Sequence, residues 1–298
     1  MDGRKNDPKS LAMFLSAMLI FGSVGIFRRQ IQLPSAFLAL SRGFLGGLSV
    51  LAFTRLTGKG AGGKLPPRQM RLLVFSGAAM GVNWILLFEA YNRTTVAIAT
   101  LCYYMQPTIV MLLSPVIFRE KLTGGKAACA AAAIAGMILV SGVAGEDSRT
   151  GGNLHGILLG LGAAVFYSAV VILNKKTGGT DPYRKTTVQL LSAGAVMIPY
   201  VLLTGAGFGA DEFSVTAVLL LLVMGFIHTG IAYLLYFGSM DGLRVQSIAI
   251  LSYVDPVSAL LFSALFLKEP LHPAGILGAL LVIGSAVLSE IPAKRTKG

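Results

Sequence analysis

Ten stretches of about 20 apolar residues, divided by short polar breaks, run through this 298-residue chain. They fall at 11–27, 35–56, 71–91, 94–118, 125–143, 155–174, 185–204, 214–237, 244–267 and 273–290. Each is about long enough to cross the hydrocarbon of a bilayer as a helix. Inside lipid every backbone N–H and C=O must find a partner within the segment, which the helix provides. The composition agrees: 54% of residues are hydrophobic and 13% charged, with a mean hydropathy of +0.73, against about 25% charged in a soluble domain. Residues 1–10 are polar and carry no signal-peptide cleavage pattern, so the first helix is read as retained. Most connections are short, which predicts antiparallel packing between consecutive segments. Cys102 and Cys129 both lie inside apolar runs and read as small core residues rather than a disulfide.

The net charge of +12 invites a nucleic-acid reading, but the distribution of the charges opposes it. With the N-terminus placed in the cytoplasm, Lys and Arg in the inside connections outnumber those outside by about four to one, the bias that orients membrane helices. The inside group includes Arg55, Arg68, Arg71, Lys121, Lys175, Lys176 and Arg184; the outside group includes Arg28, Arg93 and Lys268. The expectation is a multi-pass protein of the cell inner (plasma) membrane with both termini cytoplasmic, its basic residues facing anionic lipid.

The chain also repeats itself. Residues 81–121 fall on residues 230–270 at one gap-free offset of 149 positions, pairing Gly81 with Gly230, Phe88 with Phe237, Tyr104 with Tyr253, Pro107 with Pro256, Ser114 with Ser263 and Glu120 with Glu269. Phe21-Gly22-Ser23 similarly matches Phe166-Tyr167-Ser168 at a slightly different spacing. Each half therefore holds five segments, 1–148 and 149–298. Because five is odd, the second half enters the membrane upside down. The expected fold is all-α and integral to the membrane: ten transmembrane helices as two inverted five-helix repeats around a central cavity, the usual construction of a secondary transporter.

Tyr104-Met105-Gln106-Pro107 leading to Phe118-Arg119-Glu120-Lys121-Leu122, and Tyr253-Val254-Asp255-Pro256 leading to Leu267-Lys268-Glu269-Pro270-Leu271, resemble the EamA-type members of the drug/metabolite transporter superfamily. The resemblance covers nearly the whole chain in two copies. It implies alternating access without ATP and a small metabolite as substrate, more often exported than imported. Amino acids, drugs, nucleobases and choline-like cations are among the substrates it implies.

Ionisable residues inside a membrane are costly and are functional candidates by default. Asp255 sits near the middle of the ninth segment, directly before Pro256, which suits it to bind a substrate ammonium or exchange a proton. Its repeat partner Gln106 is neutral, so the halves differ at the site. Arg42 in the second segment and Glu89 in the third are read either as a salt bridge between neighbouring helices or as an outer gate, with Arg42 alternatively gripping a substrate carboxylate. Aromatic stripes carry Trp84 and Tyr233, which are repeat partners; Tyr103, Tyr104, Tyr253 and Ser252 add hydroxyls, and Asn83 an amide, to the expected substrate-binding set. Aromatic faces beside a carboxylate suit a cation or flat zwitterion. His228 is read as a helix–helix hydrogen-bonding residue or a proton-coupling group. Pro107 and Pro256 each remove a helical hydrogen bond and read as hinges, while Glu120 and Glu269 are expected to cap or tether the turns to the fifth and tenth helices. Gly43, Gly46 and Gly47, and Gly156, Gly160 and Gly162, are expected to allow close helix packing.

Gly58-Lys-Gly-Ala-Gly-Gly63-Lys64-Leu65 imitates a phosphate-binding loop, but Leu65 stands where magnesium needs a hydroxyl, and no soluble strand precedes it. No motif of an enzyme or metal site is present, so no cofactor and no metal are expected. The function expected is a secondary transporter, an efflux carrier of an amine-bearing metabolite such as an amino acid or organic cation. A passive channel, a nucleobase- or sugar-type carrier and a scaffold remain the other readings. Expected partners are the small-molecule substrate and the lipid bilayer, with proton coupling attached to Asp255 and His228, no nucleic acid, and a monomer or homodimer as the assembly.

Overall fold

The computed structural model describes residues 6–28, 30–31, 33–58, 65–94, 96–140, 154–205, 214–266, 268 and 273–290, and all regular structure among them is helical. Eight helical stretches are apolar and long enough to cross a membrane: Pro8–Phe27, Ser35–Thr57, Pro67–Tyr91, Ala99–Phe118, Leu154–Lys176, Pro182–Thr204, Val215–Gly242 and Val245–Phe266. Gly124–Leu139 and Pro273–Leu288 are apolar but shorter. Large apolar side chains such as Leu56, Val116, Leu203 and Leu280 point outward, an arrangement that water would penalise and lipid does not.

The helices are α1 (Pro8–Arg28), α2 (Ser35–Thr57), α3 (Pro67–Tyr91), α4 (Val96–Tyr103), α5 (Gln106–Phe118), α6 (Gly124–Val140), α7 (Leu154–Lys176), α8 (Pro182–Thr204), α9 (Val215–Gly225), α10 (Ala232–Ser239), α11 (Val245–Leu251), α12 (Val254–Phe266) and α13 (Pro273–Glu290). A six-residue π-helix, Phe226–Ile231, joins α9 to α10.

Two of the expected single helices are broken. The segment 94–118 divides at Tyr104–Met105 into α4 and α5, and 244–267 divides at Ser252–Tyr253 into α11 and α12. Pro107 and Pro256 are therefore not mid-helix kinks. They stand in the first turns of α5 and α12, where a missing N–H costs nothing and a fixed φ helps the helix start.

Consecutive segments are also not uniformly neighbours. Helix α2 lies chiefly against α8 and the π-turn, and barely touches α3, whose main partners are α7 and α8; α1 packs on α10 and α12, and α6 on α13. Small residues bring α2 to these partners. A Cβ added to Gly46 would lie 2.7 Å from Thr229 Cγ2. Between α3, α7 and α8 a dry polar cluster replaces apolar packing. Ser76 Oγ donates to Gln189 Oε1 at 3.0 Å, and the Asn174 and Gln189 amides exchange two bonds of 2.8 Å.

Connections assigned by the charge bias to one side converge in the fold. Asp7 N donates to Gly242 O at 3.0 Å, Asn6 Nδ2 to Ser247 Oγ at 2.8 Å, and Lys185 Nζ lies 3.5 Å from Asp241 Oδ1. Glu120 caps not the fifth segment but α11, accepting from Val245 N at 3.0 Å and Gln246 N at 3.2 Å. Its repeat partner Glu269, the loop 59–64 and the basic residues Arg29, Arg149, Lys294, Arg295 and Lys297 lie outside the described residues, as do residues 1–5 of the N-terminus.

Candidate functional site

The two helix breaks meet. Gln106 opens α5 and Asp255 lies in the first turn of α12, while Tyr103 closes α4 and Ser252 follows α11, so helix ends of both polarities face one pocket and their dipoles oppose one another there. That pocket is lined by Met18, Phe21, Tyr103, Tyr104, Gln106, Tyr167, Tyr236, Ser252 and Asp255 and encloses about 30 Å³, room for a water or two. A solute larger than that enters only when the helices move apart.

Asp255 Oδ2 accepts one long hydrogen bond, from the Tyr104 hydroxyl at 3.4 Å. Its backbone carbonyl accepts from Ser258 Oγ at 2.8 Å. The carboxylate thus keeps most of its acceptor capacity turned to the pocket. Gln106 is buried, with its backbone carbonyl taking Ser168 Oγ at 3.2 Å, while its side-chain Nε2 has no partner among the described residues. The site therefore holds an unspent acceptor on one half-helix and an unspent donor on the other. Around them stand aromatic rings. Tyr103 lies 5.5 Å from Tyr104 and 5.8 Å from Tyr167, Tyr167 stacks on Tyr236 at 6.4 Å, and Phe21 meets Tyr236 edge-on at 5.8 Å. Ring faces with an adjacent carboxylate form an environment that favours a cation over an anion. Glycine admits α1 to this wall: a Cβ on Gly22 would meet Ser258 Oγ at 2.1 Å and Asp255 O at 2.9 Å.

Of the residues expected at the site, Asp255, Gln106, Tyr103, Tyr104 and Ser252 line the pocket. Tyr233 packs just behind it, 5.0 Å from Phe21 and 6.2 Å from Tyr236, and Trp84 borders the same core. Tyr253 turns away into the cluster of Ala133, Met137 and Val257, its hydroxyl 2.8 Å from Thr108 Oγ1. Asn83 ties α3 to α7 through Ala163 O at 2.8 Å. His228 is buried 2.9 Å from Ser23 Oγ and against the Phe27 ring at 4.6 Å. No ion pair joins Arg42 to Glu89 among the described residues, because α2 and α3 scarcely touch. Arg42 Nε donates to Thr229 Oγ1 at 3.0 Å, whereas Glu89 accepts from the Tyr200 hydroxyl at 2.7 Å and lies 3.9 Å from Arg93. Tyr167, Tyr236, Met18 and Phe21 line the pocket without standing out in the sequence as site residues. The match of Phe21-Gly22-Ser23 with Phe166-Tyr167-Ser168 pairs Tyr167 with Gly22, and both positions stand at the wall of the pocket, whereas Phe166, the partner of Phe21, is exposed.

Fold and site together define a polytopic helical membrane protein with an acidic, aromatic-walled pocket between two broken helices. The EamA-like transporter family matches this chain twice, over residues 8–142 and 154–290, and the chain belongs to that family. It is 30% identical over 263 residues to the uncharacterized transporter YxxF of Bacillus subtilis, covering 88% of this chain and 83% of that protein. It is 25% identical to the protein PecM of Dickeya dadantii over 77% of each chain, and 22% identical to human solute carrier family 35 member G1 over 76% of this chain and 64% of that one. A solved crystal structure at 20% identity superposes with a TM-score of 0.84, over 98% of this chain and 100% of the other, which establishes the shared fold. A transporter acting on small solutes in a lipid bilayer is thus the class of protein to which the chain belongs.

Proposed function

We propose that this transporter is a secondary carrier, working by alternating access and in the direction of export, of a small solute that carries an amine, such as an amino acid or organic cation. The supporting observation is Asp255, a carboxylate within a membrane-spanning stretch, bonded by one hydroxyl at 3.4 Å and open to an aromatic pocket. An intramembrane charge with so little local compensation is expensive to keep, and a substrate ammonium supplies the missing partner. On this reading ten helices form two inverted repeats, 1–148 and 149–298, in the inner membrane with both termini cytoplasmic. The double family match and the pairing of Gln106 with Asp255 across one pocket support the duplication. The small cavity supports a mechanism in which the halves rock about the site, with the α4–α5 and α11–α12 breaks beside Pro107 and Pro256 as pivots. Proton exchange at Asp255 is the proposed coupling step.

The test is a thermal-shift titration of purified protein with primary amines, quaternary amines and amino acids, followed by counterflow in proteoliposomes. Asp255→Asn is expected to weaken amine binding by about tenfold or more, the loss of one charge-assisted contact. Undiminished amine binding by Asp255→Asn would sink the assignment. Flux without counterflow would instead identify a channel.

A further inference from the structure

Arg42 lies outside the Asp255 pocket and is held in an unusual way. The hydroxyl of Thr229 donates to Met224 O at 2.8 Å, five residues back in the π-turn, so its lone pair is free to accept Arg42 Nε at 3.0 Å. No carboxylate neutralises Arg42 among the described residues, and the terminal amino groups of its guanidinium make no hydrogen bond there. The neighbouring residue, His228, is 2% exposed. Ser23 Oγ donates to Ile20 O at 2.8 Å and lies 2.9 Å from His228 Nε2. Nδ1 of His228 makes no short hydrogen bond among the described residues, and the ring also interacts with the Val223 carbonyl. Arg42 thus offers a planar donor fork with no carboxylate against it among the described residues. Such a fork matches a carboxylate in two parallel hydrogen bonds.

The position of this cluster limits the solute. Seven residues separate Thr229 from Tyr236, which lines the Asp255 pocket; at 1.5 Å per residue that is on the order of 10 Å along the helix. Tyr233 lies about one turn from each along the helix, its ring 5.0 Å from that of Phe21 in the pocket wall. The ammonium and carboxylate of an α-amino acid share one carbon and cannot reach both.

We infer that Arg42, anchored by Thr229 and flanked by His228, is a second subsite that takes the carboxylate of an elongated zwitterionic solute whose ammonium occupies the Asp255 pocket. The inference rests on the reading of Asp255 given above. It makes the solute one with its acidic and basic ends several bonds apart, and it gives Arg42 and Asp255 complementary roles.

The experiment uses a molecular ruler. Purified full-length protein is titrated with ω-amino acids from 3 to about 8 carbons and with n-alkylamines of the same lengths. Added carboxylate is expected to tighten binding by about tenfold at the longer lengths and to do nothing at the shortest. Arg42→Met, and separately Thr229→Val, should abolish that increment, so that each ω-amino acid binds no tighter than its alkylamine. Arg42→Lys, which keeps the charge but not the fork, should lose most of it. An increment that survives in Arg42→Met, or that is absent at every length in the wild type, overturns the inference, and so does failure of both series to bind. Should Arg42→Met not purify as a monodisperse species, Thr229→Val and Arg42→Lys decide the matter. The two readings fail separately: intact alkylamine binding in Asp255→Asn removes the central site, whereas a carboxylate increment independent of Arg42 removes only this subsite.

Discussion

Gly22 shows how tightly the site is held at the scale of single residues. Any side chain there drives into Ser258 Oγ and into the backbone at Asp255 O and Ala259 N, at 2.1, 2.9 and 2.9 Å. The backbone atoms cannot rotate aside, so α1 and α12 must separate. Gly22→Ala is expected to cost about 1–3 kcal/mol by overpacking, read as a fall in the midpoint of thermal unfolding in detergent, and to reduce amine binding because Asp255 moves with α12. A variant as stable and as competent as the wild type would show that this contact yields freely. The same scale separates what sequence reveals from what it hides. Asp255 is legible because a charge among apolar residues stands out by itself, and Gln106 because the repeat places it opposite. Arg42 and Glu89 stand out equally, but their partners do not. Those depend on which helices touch, and chain order suggests α2 against α3 where packing puts α2 against α8 and the π-turn. Tyr253 and Asn83 depart from expectation for a related reason. A hydroxyl or amide near a site in sequence turns about 100° away with one step along a helix.

At the scale of elements, the pair of broken helices is only half legible in the sequence. Pro107 and Pro256 mark the places, but a proline can kink a continuous helix or open a new one. The deciding atoms lie elsewhere in the chain. For α11 they belong to Glu120, which arrives from the end of α5 to accept from Val245 N and Gln246 N. A seven-residue helix is too short to persist unaided, so this cap matters more than on a long span. Glu120→Ala is expected to destabilise the protein by about 1 kcal/mol, the usual worth of a helix cap, with Glu120→Gln intermediate because it keeps one acceptor. Thermal unfolding monitored by helical circular dichroism checks the order; equal stability of all three would remove Glu120 as the cap. A larger effect is expected in the dry cluster of α3, α7 and α8. Gln189→Leu leaves Asn174 Oδ1 without its donor at 2.8 Å and Ser76 without its acceptor at 3.0 Å. Stranding buried polar groups costs about 1–3 kcal/mol.

For the whole molecule the question is whether the halves are inverted, and the fold supplies a way to ask it. Apolar length, charge bias and the internal repeat suffice to identify a membrane-spanning helical protein. Relative orientation is different, because it rests on an odd number of crossings per half and fails if one crossing is miscounted. Lys176 ends α7 and is exposed, and Gln30, also exposed, follows α1. The match of Phe21-Gly22-Ser23 with Phe166-Tyr167-Ser168 puts these two at nearly equivalent points of their repeats. Parallel halves would leave both on one face of the membrane, and inverted halves would leave them on opposite faces. In a background of Cys102→Ala and Cys129→Ala, Gln30→Cys is expected to react with a membrane-impermeant maleimide in intact expressing cells, and Lys176→Cys only after permeabilisation. The contacts of Lys175 with Met240 O at 2.6 Å, of Lys185 with Asp241, and of Asp7 with Gly242 join the end of α7 to the start of α1 and to the connection before α11. Labelling at Lys176 therefore reports the face on which the chain begins. Equal labelling of Gln30→Cys and Lys176→Cys in intact cells would mean that the halves run the same way, and a rocking mechanism about a shared midplane pocket would lose its geometric basis.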